Sequence, residues 1–292
     1  MAYSKALYST WIYYGPDRIL FDAGESVSSI MGNKSFAIQR VFLSHGHTDH
    51  IAGLVGLINI RNNAMGDKAK PLTVYYPEDN FHICELMNYL HRTNGNLRYP
   101  LEWIPLQPGK KVFVHGEKGE RNARYVESFP TEHSPREVSL GYNVVEVRQR
   151  LKSNYRDLSQ EEIKERVHEK GREKLMEPYS QKIFSYGGDS VPLDAKYIKD
   201  SEILYHDSTF LDEEDRKQFK HSTLEESIET AKKAGIRREL VAIHISSRYR
   251  QQVQDYQDEL DKRQDLPFAL TLLPPGRPFT RAYLVLYQNL PR

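Results

Sequence analysis

Within six residues this chain sets three histidines and one aspartate, in the stretch Ser44-His45-Gly46-His47-Thr48-Asp49-His50. The apolar run from Ile38 to Leu43 reads as a buried strand that delivers the stretch. The segment Ile51-Ala52-Gly53-Leu54-Val55-Gly56-Leu57-Ile58 reads as a helix that leads away from it. A loop just past a strand end aims its side chains at a common point. Neutral imidazole nitrogens and carboxylate oxygens are the ligands that zinc accepts. Alternate residues of an extended segment point the same way, so His45 and His47 can face one ion. Asp49 and His50, at the turn into the helix, can face a second. The competing reading, a polar loop with chance histidines, does not fit the tight spacing or the further candidate ligands downstream.

Those candidates follow a rhythm. Strand after strand ends in a loop that holds His or Asp: His133, Asp189 in Tyr186-Gly-Gly-Asp-Ser190, His206 with Asp207, and His244. Such strand ends, gathered on one edge of a sheet, are where an α/β active site assembles. Each residue also has a plainer reading. His206 reads as a buried histidine or a ligand, Arg248 as a phosphate holder or the partner of an acid, and His82, His91, His115 and His168 as surface or core residues.

The remaining chain supports one domain over residues 1–292. A hairpin turns at Gly15-Pro16-Asp17 between strands spanning Tyr8 to Asp22. Further strands are expected near 72–76, 101–106, 111–115, 123–129, 140–147, 183–186, 202–205 and 240–243, with final β segments at 268–273 and 279–287. Pro77-Glu78-Asp79 opens a helix carrying Phe81, Cys84, Met87 and Leu90. Residues 148–178 alternate acids and bases and read as one amphipathic helix inserted between two strands, with Ser159 and Glu162 as a capping box. Ser222 with Glu225 reads as a second box, before a helix buried through Leu224, Ile228, Ala231 and Ala234 and stopped by Gly235.

Charge excludes more than it assigns. The 292 residues hold 41 basic and 40 acidic side chains, net +1, which argues against a strongly basic nucleic-acid footprint. A single cysteine, Cys84, rules out an internal disulfide and reads as a core thiol. The N-terminal residues lack a signal-peptide pattern. No run of about eighteen apolar residues is present, so a cytoplasmic protein with no membrane span is expected.

With these residues aligned, the chain resembles the metallo-β-lactamase superfamily, and within it the tRNase Z-like phosphodiesterases. The resemblance rests on Leu20-Phe-Asp-Ala-Gly-Glu25, Leu43-Ser-His-Gly-His-Thr-Asp-His50, Glu132-His-Ser134 with Ser139-Leu-Gly-Tyr142, Tyr186-Gly-Gly-Asp-Ser190, His206-Asp-Ser-Thr-Phe210, His221-Ser-Thr223 and His244-Ile-Ser-Ser-Arg-Tyr249. It implies an α/β fold, an αββα sandwich, with two zinc ions per chain (or manganese or another divalent ion) at one edge of the paired sheets. By this resemblance His45, His47 and His133 hold the first metal, Asp49, His50 and His244 the second, and Asp189 bridges them. Asp49 also orients the attacking hydroxide, and His221, helped by Asp207, protonates the leaving oxygen. The family more often has glutamate at the Asp207 position, and Tyr-Thr where this chain has Tyr186-Gly187.

The substrate is read from two departures. Enzymes that mature tRNA carry a long Gly/Pro-rich arm between the positions of His133 and Asp189, and an N-terminal loop that contacts the acceptor stem. Here the first interval holds only the short charged segment, and the chain enters its first strand by about Tyr8. The remaining core resembles the anti-Pycsar family, which hydrolyses cyclic nucleotide second messengers and so defeats antiphage signalling. The expected substrate is therefore a 3′,5′-cyclic nucleotide such as cCMP, cUMP, cAMP or cGMP, cut to the 5′-monophosphate. A tRNase Z-type endoribonuclease acting on tRNA is the alternative. A non-catalytic scaffold is disfavoured because no ligand position is missing. Both favoured families form homodimers, which implies a homodimer here.

Overall fold

The computed structural model describes residues 1–280. Two mixed sheets pack face to face. The first contains, in spatial and chain order, β1 (Ala2–Lys5), β2 (Ser9–Tyr14), β3 (Ile19–Phe21), β4 (Arg40–Phe42), β5 (Leu72–Pro77) and β6 (Leu101–Leu106). The second runs in reverse spatial order from β13 (Ala269–Leu272) through β12 (Glu239–Ile243), β11 (Ile203–Asp207), β10 (Met176–Tyr186), β9 (Ser139–Leu151) and β8 (Arg124–Thr131) to β7 (Lys111–His115). Each sheet is antiparallel on one side and parallel on the other: β3 to β6 run parallel, as do β10 to β13.

The helices are α1 (Val27–Met31), α2 (Thr48–Ile51), α3 (Gly53–Met65), α4 (Phe81–Thr93), α5 (Gln160–Lys170), α6 (Arg172–Leu175), α7 (Ala195–Ile198), α8 (Leu224–Ala234) and α9 (Val253–Leu260). None of the described helices is long and apolar enough to cross a membrane.

Strand periodicity explains the layering. In β3, Ile19 and Phe21 face the other sheet, while Leu20 faces α3 with Val41 and Leu43. In β12, Val241 and Ile243 face inward, while Leu240 and Ala242 meet Ile228 and Ala231 of α8. Alternate residues of each strand thus feed two different cores, an inter-sheet core and a helix-covered outer one. The inter-sheet core is aromatic: the Phe21 ring lies 5.3 Å from Phe184 and 5.7 Å from Tyr186, and Phe42 stacks on Tyr75 at 4.5 Å. The architecture is the expected α/β sandwich.

Several local expectations shift. Residues 148–178 do not form one helix: β9 continues to Leu151 and β10 starts at Met176, with Leu151 opposite Met176, so the charged segment is the end of a long hairpin tipped by α5 and α6. Alternating charge along these strands imitated a helical face because both strand faces are open to solvent there. The Ser159–Glu162 capping box is present. The cap of α8 lies one residue beyond the expected Ser222: Thr223 and Glu226 make the box, and Ser222 is buried with its hydroxyl donating to Ser190 O. On α4, Ile83 and Leu90 are buried, Phe81 is exposed, and Cys84 is only half-buried against the outer core. Of the expected final strands, 269–272 is present; 279–287 falls mostly outside the described residues.

One close contact ties the first outer helix to the site. A Cβ on Gly53, at the start of α3, would lie 2.0 Å from Gly24 O, in the loop after β3. Gly53→Ala is therefore expected to cost about 1–3 kcal/mol and to lower the thermal unfolding midpoint by several degrees. Gly95→Ala, where a Cβ meets nothing within 4 Å, should leave it unchanged. Equal midpoints for the two variants in circular dichroism melts would refute this packing.

Candidate metal centre

The parallel strands point their C-terminal ends at one edge of the sandwich, and the functional side chains gather there. Past β4 come His45, His47, Asp49 and His50; past β8, His133; past β10, Asp189; at the end of β11, Asp207; and past β12, His244. Gly46 is required in this loop, because a Cβ there would lie 2.4 Å from Asn80 Oδ1 and 2.7 Å from His82 Cβ. Its backbone N–H donates to Glu137 Oε1 at 2.6 Å, a carboxylate that also accepts from Asn80 Nδ2 at 2.6 Å.

Four overlapping donor groups form among the described residues, and two of them have four members. His45, His47, His133 and Asp189 bring one ligand atom each within 4.8 Å of one another, and so do Asp49, His50, Asp189 and His244. Asp189 is common to both. His47 Nδ1 and His133 Nε2 face each other at 3.1 Å, and His50 Nε2 lies 3.1 Å from Asp189 Oδ1. His244 Nε2 lies 3.2 Å from Asp189 Oδ2 and 3.3 Å from Asp49 Oδ2. Ligands held about 2.0–2.1 Å from a tetrahedral zinc are about 3.3 Å apart, so these separations suit donors around an ion. His45 Nε2, His50 Nε2 and Asp189 Oδ1 are buried and lack hydrogen-bond partners among the described residues. Buried polar atoms are normally satisfied, and divalent ions in the two donor sets would satisfy all three.

The outer partners set the tautomers. The Ser44 hydroxyl donates to Asp22 Oδ2 at 2.7 Å, so it accepts from His45 Nδ1 at 2.9 Å. His50 Nδ1 donates to Asp22 Oδ2 at 2.7 Å, and His133 Nδ1 to Lys220 O at 2.9 Å. The Thr209 hydroxyl donates to Asp207 Oδ1 at 2.7 Å and accepts from His244 Nδ1 at 2.9 Å. All four imidazoles thus turn an Nε2 lone pair inward, a pattern typical of metal-ligating histidine.

Electrostatics agree with a cation site. Burial, then repulsion from His50, holds His45 well below the usual histidine range, in the neutral form a metal requires. Burial opposes a charge on His50 as well, but Asp189 and Asp22 outweigh it and raise its pKa well above the ordinary value. A proton on Nε2 and a divalent ion are alternative occupants of that negative field. Burial pushes the Asp189 carboxyl up, while His244 and His50 outweigh it and hold the group well below the carboxylate range.

Beside the two sets lies a dyad. Asp207 is fully buried and accepts from Thr209 N at 2.8 Å, Ser190 N at 3.1 Å and His221 Nδ1 at 2.7 Å. The side chain is one methylene shorter than a glutamate, yet it reaches His221 directly because β11 carries it to the strand's end. Burial lowers the His221 pKa, but the Asp207 carboxylate more than offsets this and raises it to about 9. The imidazole ring stacks on His244 at 5.1 Å and meets His133 edge-on at 4.7 Å, so it lies directly beside the centre.

The other candidates separate cleanly. His206 is a core histidine: Nδ1 donates to Asp207 O at 2.6 Å and Nε2 accepts from Leu193 N at 3.3 Å. Arg248 pairs with Asp215 at 2.8 Å. His82, His91, His115 and His168 are exposed. Sequence reasoning passed over Asp22, Glu137 and Thr209. Asp22 lay within a quoted motif, but only the fold shows its convergence on Ser44, His50 and Tyr186.

Known proteins are similar to this chain. Residues 8–120 match the model of the metallo-β-lactamase superfamily. A protein named ribonuclease Z from Gemmatimonas aurantiaca is 31% identical over 269 residues, covering 83% of this chain and 81% of the relative. The chain belongs to the metallo-β-lactamase superfamily. Ribonuclease Z of Methanosarcina mazei is also 31% identical, over 256 residues and 79% of each chain, which sets this superfamily member in the tRNase Z-like branch. Two solved structures share the fold. The metallo-β-lactamase fold protein YhfI of Bacillus subtilis superposes with a TM-score of 0.63 at 17% identity, over 94% of this chain and 95% of that one. The short form of human tRNase Z gives 0.59 at 20% identity, with the same coverage. As a member of this branch the chain is a metal-dependent hydrolase of the phosphodiesterase type.

Two variants test the centre. Asp189→Ala should abolish metal binding and turnover together; a variant that still retains two ions by mass spectrometry would contradict its shared position. Asp22→Asn replaces one of the two accepting oxygens by a donor and so weakens the support of His50, and should reduce metal affinity about 10–100-fold in calorimetric titration. An unchanged affinity would remove Asp22 from that role.

Proposed function

We propose that the protein is a two-metal phosphodiesterase that hydrolyses 3′,5′-cyclic nucleotides to nucleoside 5′-monophosphates. The observation that carries the choice of a small substrate is the cavity beside His133. Its volume is about 580 Å³, and Val191, Phe219 and Lys220 are among its lining residues. That is within the usual range for small-molecule sites. The interval between His133 and Asp189 supports the same choice: it folds back on itself as the β9–β10 hairpin with its short helical tip.

In this reading His45, His47 and His133 would hold one zinc ion, Asp49, His50 and His244 would hold the other, and Asp189 belongs to both donor sets. Two such ions would supply an attacking oxygen at neutral pH and neutralise charge on the phosphoryl group. Asp49 orients the attacking water and takes its proton. The new bond forms between that oxygen and phosphorus while the bond from phosphorus to O3′ breaks in line with it. The electron pair leaves with O3′, and His221 Nε2 delivers the proton that neutralises it. Asp207 holds His221 in the tautomer that presents that proton. The product is the 5′-monophosphate.

A second reading, an endoribonuclease that trims tRNA 3′ ends, is favoured by the identity to proteins named ribonuclease Z. Chromatographic assay of purified protein on cyclic nucleotides, beside a precursor tRNA with a 3′ trailer and with and without chelator, separates the two. Chelator-sensitive 5′-monophosphate with intact precursor is expected. A trimmed precursor with untouched cyclic nucleotides would replace the first reading with the second. His221→Ala should retain its metal while kcat falls by about 10²–10⁴; an unchanged kcat would remove it from the proton transfer.

A further inference from the structure

Phe219 is an exposed apolar side chain in a place where exposure has no structural reason. It is 64% exposed, lies two residues before His221, and faces the cavity beside His133. Its loop is fixed rather than loose. His133 Nδ1 donates to Lys220 O at 2.9 Å, and the Arg216 guanidinium sits over the Phe219 ring at 4.9 Å. Arg216 is itself held by Glu226 at 2.5 Å, within the capping box of α8. The ring is therefore backed by a planar cation. Arginine over an aromatic face is a stabilising arrangement.

We propose that Phe219 is the platform on which the substrate's nucleobase stacks. The assignment rests on the nucleotide-substrate reading above. It names the residue that reads the base, a role beyond the metal and proton-transfer residues. Every nucleobase has an apolar face, so one fixed ring gives affinity with little discrimination among bases. Another exposed ring, Phe81, packs against His82 at 5.5 Å and does not line the cavity.

Calorimetric binding to the metal-loaded protein tests the assignment with CMP and AMP beside ribose 5-phosphate, which lacks a base. The wild type should bind the nucleotides about 5- to 100-fold more tightly than ribose 5-phosphate. Phe219→Ala should bring the ratio close to one, Phe219→Trp should keep it, and Phe81→Ala should leave it as in the wild type. On cyclic nucleotides Phe219→Ala should raise KM with kcat within about twofold, the pattern of lost uniform binding.

The proposal is overturned if Phe219→Ala keeps the ratio. It is equally overturned if that variant loses nucleotide and ribose 5-phosphate alike, because the ring then only supports the His133 loop. A Phe219-dependent ratio in a protein that leaves every cyclic nucleotide intact would uphold the stacking role and refute the cyclic-nucleotide reading alone.

Discussion

One buried carboxylate holds the two halves of the sandwich in register at the reactive edge. Asp22, at the end of β3 in the first sheet, accepts from the backbone N–H and the hydroxyl of Ser44 past β4, from His50 Nδ1 on α2, and from the Tyr186 hydroxyl at the end of β10 in the second sheet. It is wholly buried. A buried carboxylate is tolerable only when hydrogen-bonded or paired, and here each donor comes from an element that carries or adjoins a candidate metal ligand. The position has a left-handed backbone, φ 54°, an unusual conformation for aspartate outside turns. His244, at φ 59°, shares it. Its backbone N–H donates to Ser4 Oγ in the first sheet at 2.8 Å. Local strain at these two residues is offset by bonds that join the sheets, and strain so held clusters at functional sites.

From this junction the chemistry divides by burial. The histidines deepest in the edge are neutralised or oriented by hydroxyls, carboxylates and a carbonyl, so their Nε2 atoms converge. Asp207 belongs to neither of the two sets that share Asp189, and its carboxylate holds His221 beside them. The Thr209 hydroxyl bonds both Asp207 and His244, joining the Asp207–His221 dyad to a candidate metal donor. The cavity beside His133 then receives a loop whose conformation depends on His133 itself, through Lys220 O. The candidate metal donors, the Asp207–His221 dyad and the lining of the cavity are thus joined by direct contacts.

Much of this was legible in the chain. The tight spacing of His45, His47, Asp49 and His50 announces its own chemistry, and the donors after later strands follow from strand ends sharing one edge. Asp207 was legible only by motif, and that it reaches His221 despite being shorter depends on where β11 ends. Asp22 and Tyr186 were not legible as a pair, because two residues so far apart in sequence meet only through sheet packing. The cap of α8 fell on Thr223 because Ser222, the better-looking candidate, is spent on Ser190 O. The charged stretch after Val147 misled because alternation between acids and bases has no unique period when both faces are wet. The exposure of Phe219 is likewise a tertiary fact: a phenylalanine beside lysines carries no sequence mark of standing at a cavity.

The measurement that bears most directly on this account is anomalous diffraction at the zinc edge from crystals of the metal-loaded protein. Two peaks are expected on either side of the Asp189 carboxylate, one among His45, His47 and His133 and the other among Asp49, His50 and His244. A single peak, or peaks that do not share Asp189, would contradict the two-metal centre from which the proposed chemistry follows.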